Sequence, residues 1–166
     1  MKKLLLLFCL LSFSISKSQN EKKDREAFTL KIAVDQEHYY SMDVTKSAYF
    51  VKEKILQIYP GEKLFVETEI KGDTIYSMKI VQKITKPKKT IEIEFTQNAE
   101  DKSNIIMMLN VKNPFDKILN YNAMMFTPNS QKWKSTSIIP IQPKLENFES
   151  WPHAIITLVL DKFRFE

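Results

Sequence analysis

The chain has 166 residues, a length that suits one domain with a hydrophobic core of its own. A hydrophobic content of 43% with 27% charged residues is typical of a folded protein. The sequence has two glycines, Gly61 and Gly72. Dinucleotide-binding loops, phosphate-binding P-loops and G-x-S-x-G nucleophile elbows each need several glycines close together, so these sites are excluded.

The N-terminus has the layout of a secretory signal peptide. Residues 1–3 are a positive n-region, residues 4–11 are an unbroken apolar run, and small residues follow at Ser16 and Ser18. We therefore predict a signal peptide over residues 1–18 and export to the periplasm, with secretion or a surface location as the alternative. The apolar run is shorter than a membrane-spanning helix, so we expect no transmembrane segment in the mature chain.

Removal of the signal peptide changes the charge and the cysteine content. The whole chain has 25 basic and 20 acidic residues, and residues 1–18 hold three of the lysines and no acid, which leaves 22 bases against 20 acids. Proteins that bind nucleic acid need a concentrated basic face, and a nearly balanced charge does not indicate one. We therefore expect no nucleic-acid partner. Cys9, the one cysteine, leaves too, so we predict no disulfide and no thiolate nucleophile.

The first part of the mature chain predicts a leader followed by strands. Residues 19–26 are wholly polar and indicate a flexible leader ahead of a single domain over residues 27–166. Residues 27–34 alternate between apolar and polar positions, as a half-buried strand does. Residues 46–56 fit either short strands or a turn or two of helix.

Two turn signals organise the next stretch. The sequence YPGE at residues 59–62 predicts a turn, because proline presets φ and glycine accepts a positive φ. Residues 64–70 alternate as a strand, and the pair Gly72-Asp73 predicts a tight hairpin into a further strand over residues 74–84.

The rest of the chain repeats this pattern of short strands and turns. Further strands are predicted over residues 91–95, 105–111, 118–126, 133–141 and 154–165. Residues 142–153, which contain two prolines, are predicted to be a long connection.

Strand spacing predicts the fold class. Short strands at intervals of about 8–12 residues, with turns between them, indicate an all-β antiparallel β-sandwich of Ig-like type, with a small β-barrel as the alternative. Alternating charged positions, namely Glu67, Glu69, Lys79, Glu92 and Glu94, predict one water-facing side of a sheet.

Aromatic side chains are the best candidates for a binding surface, since amphipathic aromatics are favoured at interfaces. The predicted binding residues are Trp133, Tyr121, Phe148 and Trp151. For a tryptophan beside a proline, the alternative is that the side chain plugs the end of the sandwich.

Other clusters have weaker chemical meaning. Lys83, Lys86, Lys88 and Lys89 form one basic cluster, which is either a site for a partner or anionic glycan or a soluble connection. His153 is a candidate base for a hydrolase, although nothing local marks an activated nucleophile. The methionines and histidines form no dense metal-binding motif, so neither metal nor cofactor is predicted.

Three stretches of the C-terminal sixty residues resemble small secreted proteins of Gram-negative bacteria. They are residues 109–124 (LNVKNPFDKILNYNAM), 135–141 (STSIIPI) and 151–160 (WPHAIITLVL). The resemblance implies an Ig-like β-sandwich at a periplasmic or surface site, and it implies no catalytic residue.

These observations together predict a binding module of the cell envelope whose partner is a protein or glycan. One alternative is a carrier of an apolar ligand in an internal cavity, suggested by the strands rich in methionine and phenylalanine. The other is a hydrolase that uses His153, so the sequence leaves enzymatic activity open while favouring none.

Overall fold

The computed structural model describes residues 20–101, 104–130 and 132–166. The predicted signal peptide, residues 1–18, lies outside the described residues. Fourteen β-strands and one 3-10 turn (Pro87–Lys89) make up the regular structure of the described ranges. In chain order the strands are β1 (Asp24–Arg25), β2 (Phe28–Ala33), β3 (Tyr39–Val44), β4 (Ser47–Ala48), β5 (Phe50–Lys52), β6 (Ile55–Ile58), β7 (Glu62–Lys71), β8 (Thr74–Val81), β9 (Thr90–Asn98), β10 (Ile106–Lys112), β11 (Leu119–Phe126), β12 (Trp133–Thr136), β13 (Glu146–Trp151) and β14 (Thr157–Phe165).

Two five-stranded antiparallel sheets pack face to face, which confirms the predicted all-β sandwich. Sheet 1 has the strand order β13-β10-β9-β7-β8, and sheet 2 has the order β12-β11-β14-β6-β5. Two shorter two-stranded sheets, β2-β3 and β1-β4, complete the fold. Every adjacent pair in these sheets is antiparallel, as expected for strands joined by short turns.

The main core lies between the two sheets, where alternate side chains of both point inward. On β7 the inward positions Leu64 and Val66 are buried, whereas Lys63 and Glu69 on the other face are exposed. Phe95 of sheet 1 is fully buried in the same cluster as side chains of sheet 2. The largest fully buried side chains of this cluster are Phe95, Leu56, Ile58, Ile75, Ile91, Ile93, Met107, Leu109, Leu119 and Ile141.

Both turns predicted around β7 are confirmed. Gly61 has a φ of +92°, and the Glu62 amide donates to the Tyr59 carbonyl at 3.1 Å. Gly72 has a φ of +57° in the two-residue loop that pairs Lys71 with Thr74. An L side chain rarely adopts such φ values, so glycine is favoured at these two places.

The stretch predicted to be a flexible leader is held in place where the structure describes it, at residues 20–26. The Lys22 amide donates to the Ile80 carbonyl at 2.9 Å, and β1 pairs with β4. The flexibility predicted for residues 19–26 stays a prediction, and these contacts favour an ordered segment. The polar composition of this segment did not indicate that Arg25 would be buried. Its side chain is 2% exposed because residues distant in sequence pack around it.

A second apolar cluster attaches the β2-β3 hairpin to the sandwich. Leu30 and Ile32 of β2 and Val44 of β3 pack against Tyr59 and Ile156. The Gln97 side chain of β9 also bonds the backbone of Ala33, accepting from its N–H at 2.8 Å and donating to its carbonyl at 2.9 Å.

Two predicted segments differ from the structure. The strand expected over residues 133–141 stops at Thr136. The chain then contacts β13, where the Ile139 amide donates to Glu149 Oε1 at 2.8 Å, and returns at Ile141 to pair with Leu119. The long connection expected over residues 142–153 contains β13. Strand β13 gains its hydrogen bonds from β10, a partner that the local sequence does not reveal.

Residues 46–56 form short strands, so the helical alternative for this stretch is wrong.

Nothing in the described ranges forms a helix long and apolar enough to cross a membrane.

Candidate functional site

The four predicted binding aromatics do not form one surface. Tyr121 and Trp151 belong to the main core, with exposures of 2% and 8%. The Tyr121 ring stacks on Phe163 at 5.3 Å, and the Trp151 Nε1–H donates to Thr136 Oγ1 at 3.0 Å. Burial raises the pKa of the Tyr121 phenol, with the Glu149 carboxylate adding to the shift. Trp151 thus fills the sandwich, as in the alternative given for a tryptophan beside a proline. The binding role of Tyr121 and Trp151 stays a prediction, and the structure gives both side chains little exposed surface.

Trp133 and Phe148 are exposed, but they lie on opposite sides of the sandwich. Trp133 lies on β12 at the outer face of sheet 2 and is 43% exposed. Phe148 lies on β13 at the edge of sheet 1 and is 60% exposed. The sequence identified both as aromatic, but their separation depends on which sheet each strand joins.

The surface around Trp133 combines apolar and polar side chains, and we call it the Trp133 face. The Trp133 ring packs on Phe126 of β11 with 5.4 Å between ring centroids. Met124, which pairs with Ser135, and Val159 are half-buried on the same outer side, because their neighbours along the strands point into the core. A half-exposed tryptophan beside a methionine is typical of the centre of a protein interface.

A groove of about 480 Å³ continues the Trp133 face where the chain bows away from β11 after Thr136. Its polar lining residues are Asn120, Tyr121, Asn122, Ser135, Thr136, Ser137, Asp161, Lys162 and Arg164. The Arg164 Nη1 donates to Asn122 Oδ1 at 3.4 Å. These groups offer both donors and acceptors next to an apolar patch.

The outer face of sheet 1 is a lattice of paired charges, as the alternating pattern predicts. Lys112 contacts Glu92 at 3.1 Å, and Lys63 contacts Glu94 at 3.1 Å. Each pair neutralises its own charge, so we assign no catalytic carboxylate pair to this face.

Glu67 is the buried member of that face, with a side chain 7% exposed. It contacts Lys86 Nζ at 2.9 Å and Lys79 Nζ at 3.3 Å. Burial disfavours its charged form, but the hydrogen bonds from the two lysines outweigh burial and hold the pKa of the Glu67 carboxyl below its ordinary value of 4.5.

The predicted basic cluster is partly neutralised by the same carboxylate. Lys86 and Lys89 line a cleft of about 320 Å³ together with Glu67 and Glu69. The acids reduce the positive potential that an anionic ligand would meet. The cluster is thus a mixed-charge surface.

His153 is exposed at the rim of a second cleft, of about 400 Å³, that also contains Ser130 and Lys134. The Ser130 hydroxyl shares a hydrogen bond of 2.9 Å with the Thr127 hydroxyl. No carboxylate lines this cleft within the described residues. It therefore lacks the acid that orients the histidine in a serine–histidine–acid triad.

Arg25 is the most deeply buried charge in the described chain. Its guanidinium donates to Glu62 through Nε at 2.9 Å and to the Gln57 carbonyl through Nη2 at 2.7 Å. The rings of Tyr49 and Tyr59 lie 4.7 and 5.0 Å from it. These contacts tie the N-terminal segment to β6 and β7 of the sandwich, and further bonds to Ser47 and Ala48 tie it to β4.

No group of three or more His, Cys, Asp or Glu side chains that would hold a metal ion occurs in the residues the structure describes. Comparison of the chain with protein-family models, with curated proteins and with solved structures gives no match.

Sequence reasoning found Trp133 but missed the polar half of the Trp133 face. Asn122 and Arg164 lie 42 positions apart in the chain and meet because β11 pairs with β14. The signal available was the alternation of β11, where Asn120, Asn122 and Met124 occupy every second position.

Proposed function

We propose that the protein is an exported binding module of the cell envelope and that it binds a partner protein through the Trp133 face. The observation that carries the proposal is Trp133 itself, which is 43% exposed and packs against Phe126 of the neighbouring strand. Aromatic residues, methionine and arginine are enriched at the centres of interfaces, and this face has all three. The predicted signal peptide supports a location in the periplasm.

Site-specific photo-crosslinking in envelope extract tests this proposal. A photoreactive residue at Ser135, on the Trp133 face, should give an adduct with an envelope protein. The same group at Ser77, exposed on the outer face of sheet 1, is the matched control and should give none. Trp133→Ala should remove the Ser135 adduct without unfolding the protein. Identical adducts from both positions, or none from Ser135, would contradict the proposal.

Export is tested separately by the mass of the protein recovered from the periplasm. Cleavage as proposed leaves Gln19 as the first residue. A periplasmic fraction without the protein, or an intact N-terminus, argues against this location.

A glycan is the second candidate partner, favoured by the polar lining of the groove. Asn122, Ser135, Asp161 and Arg164 supply the donors and acceptors that sugar hydroxyls need. Binding of isolated envelope glycans by the purified protein, lost in Asn122→Ala, would support this candidate over a protein partner.

The carrier and hydrolase alternatives have less structural support. Met107 and Phe95, which suggested an internal ligand cavity, are fully buried and belong to the packed main core. His153 lies in a cleft that lacks a lining carboxylate in the described chain. Both alternatives stay predictions from the sequence.

A further inference from the structure

We propose that two copies of this chain pair through their β13 strands, joining the two copies of sheet 1 into one continuous antiparallel sheet. Strand β13 (ENFESW) is the outermost strand of sheet 1 and pairs on one side with β10. Its other side has no strand neighbour in the described part of the chain. The inference is independent of the Trp133 face, which lies on the other sheet.

The backbone groups that face this open side follow from the register. The Asn113 amide donates to the Leu145 carbonyl at 2.9 Å, so this pair is hydrogen-bonded. The pairing of β10 with β13 continues from there without a register shift. Hydrogen-bonded and non-hydrogen-bonded pairs alternate in antiparallel sheets. The N–H and C=O groups of Glu146, Phe148 and Ser150 therefore point away from β10, toward the open side.

Self-pairing centred on Phe148 uses all of these groups. Phe148 faces Phe148 of the second copy, and Glu146 faces Ser150 of the second copy, in both directions. The three facing pairs are then all of the hydrogen-bonded kind. Phe148, 60% exposed, gains an aromatic partner, and each Glu146 meets a hydroxyl donor.

Other symmetric registers are less favourable. Centring on Glu146 or on Glu149 places two like charges directly opposite each other, which is destabilising. Centring on Asn147 leaves fewer hydrogen-bonded pairs and sets Phe148 against a carboxylate. The charge pattern of β13 thus selects the register centred on Phe148.

The other three edges of the two large sheets are less suited to pairing. The end of β8 is covered by the N-terminal segment, since the Gln82 amide donates to the Asn20 carbonyl at 2.8 Å. Strand β5 has three residues and an irregular register. Strand β12 has four residues and carries Lys134, and lysine discourages edge pairing. Strand β13 is longer, at six residues, and contains no lysine.

Pairing in this way uses residues of β13 and none of the Trp133 face, although the edge strands β12 and β13 are neighbours, since the Trp151 Nε1–H donates to Thr136 Oγ1. A dimer would present two such faces in a fixed arrangement, so that a partner with repeated sites would be held by both at once.

Sedimentation velocity of the purified protein over a concentration series tests the proposal through Ser150. Ser150→Lys places a lysine opposite Glu146 of the second copy and should lower the dimer dissociation constant about tenfold. Ser150→Glu places like charges opposite each other and should raise it about tenfold. Because the first variant strengthens association, misfolding cannot account for the pair of results.

Two further variants complete the test. Phe148→Lys should abolish the dimer, whereas Tyr76→Lys on β8, which changes a side chain of similar exposure (56%), should leave it unchanged. The double change Glu146→Lys with Ser150→Glu should restore dimerisation. Monomeric behaviour of both the native protein and Ser150→Lys, or equal effects of Ser150→Lys and Ser150→Glu, would overturn the proposal.

Discussion

At the scale of single residues, two buried charges stabilise this protein in different ways. Arg25 joins segments far apart in the chain, and Glu67 joins two lysines to the surface of sheet 1. A buried charge is tolerated when it is paired and hydrogen-bonded. Removal of one partner is destabilising because the other charge stays buried without a counter-ion. Both residues therefore give clear predictions.

Arg25→Met should lower the free energy of unfolding by about 3–5 kcal/mol, because it leaves the Glu62 carboxylate, 14% exposed, without its cation. Equilibrium urea unfolding measures the loss. Combining Arg25→Met with Glu62→Gln should recover part of it, since the amide is neutral and its oxygen still accepts from the Tyr59 amide. A double variant that is less stable than Arg25→Met alone would show that Arg25 acts through something other than this pair.

Glu67 should make stability depend on acid pH. Its folded-state pKa lies below the ordinary 4.5, so its ion pairs contribute fully above about pH 4.5 and are lost as the pH falls through the folded-state pKa. Glu67→Gln should lower stability at neutral pH and flatten the decline below pH 4.5. Urea unfolding at a series of pH values measures this, with Glu94→Gln, at an exposed ion pair, as the control. Equal curves for the two variants would refute the assignment.

At the scale of elements, the β2-β3 hairpin has an attachment separate from the main core. The hairpin packs on its own apolar cluster. The Gln97 side chain makes the two hydrogen bonds to the Ala33 backbone that a neighbouring strand would otherwise make. A small cluster beside a large one is expected to open first, because local stability follows the buried apolar contacts of each unit.

Gln97→Ala should speed amide exchange in β2 and β3 while leaving both large sheets protected, because the Ala33 N–H loses its acceptor. Hydrogen–deuterium exchange by mass spectrometry gives the readout. Gln82→Ala, an exposed glutamine just after β8, is the matched control and should change nothing in the hairpin. Uniformly faster exchange throughout the sandwich would mean that the hairpin is not a separate unit.

Elements also show where sequence patterns sufficed. The alternation of β7 and the Gly72 turn were predicted correctly, because each depends on adjacent residues alone. Strand β13 was predicted as a connection, since it lies between prolines and its polar, charged sequence (ENFESW) has weak strand propensity. Its strand conformation depends on hydrogen bonds to β10, whose sequence lies some forty positions earlier.

At the scale of the whole molecule, the two proposed interaction surfaces belong to different sheets, although their edge strands β12 and β13 are neighbours. The Trp133 face belongs to sheet 2, and the open edge of β13 belongs to sheet 1. Partner binding and self-association would therefore not compete for the same residues. An exported dimer that presents two binding faces is the functional form consistent with both proposals.

The amino-acid sequence by itself determined the fold class, the turns at the two glycines and the alternating burial of the strands, because these follow from local backbone geometry and from the period of two residues in a strand. Only the tertiary structure decided that Trp151 and Tyr121 are core residues, that Trp133 and Phe148 lie on different sheets, and that Arg25 is buried. Strand order is the physical reason. It is selected by packing between segments distant along the chain, and alternation in one strand does not specify which strand becomes its neighbour.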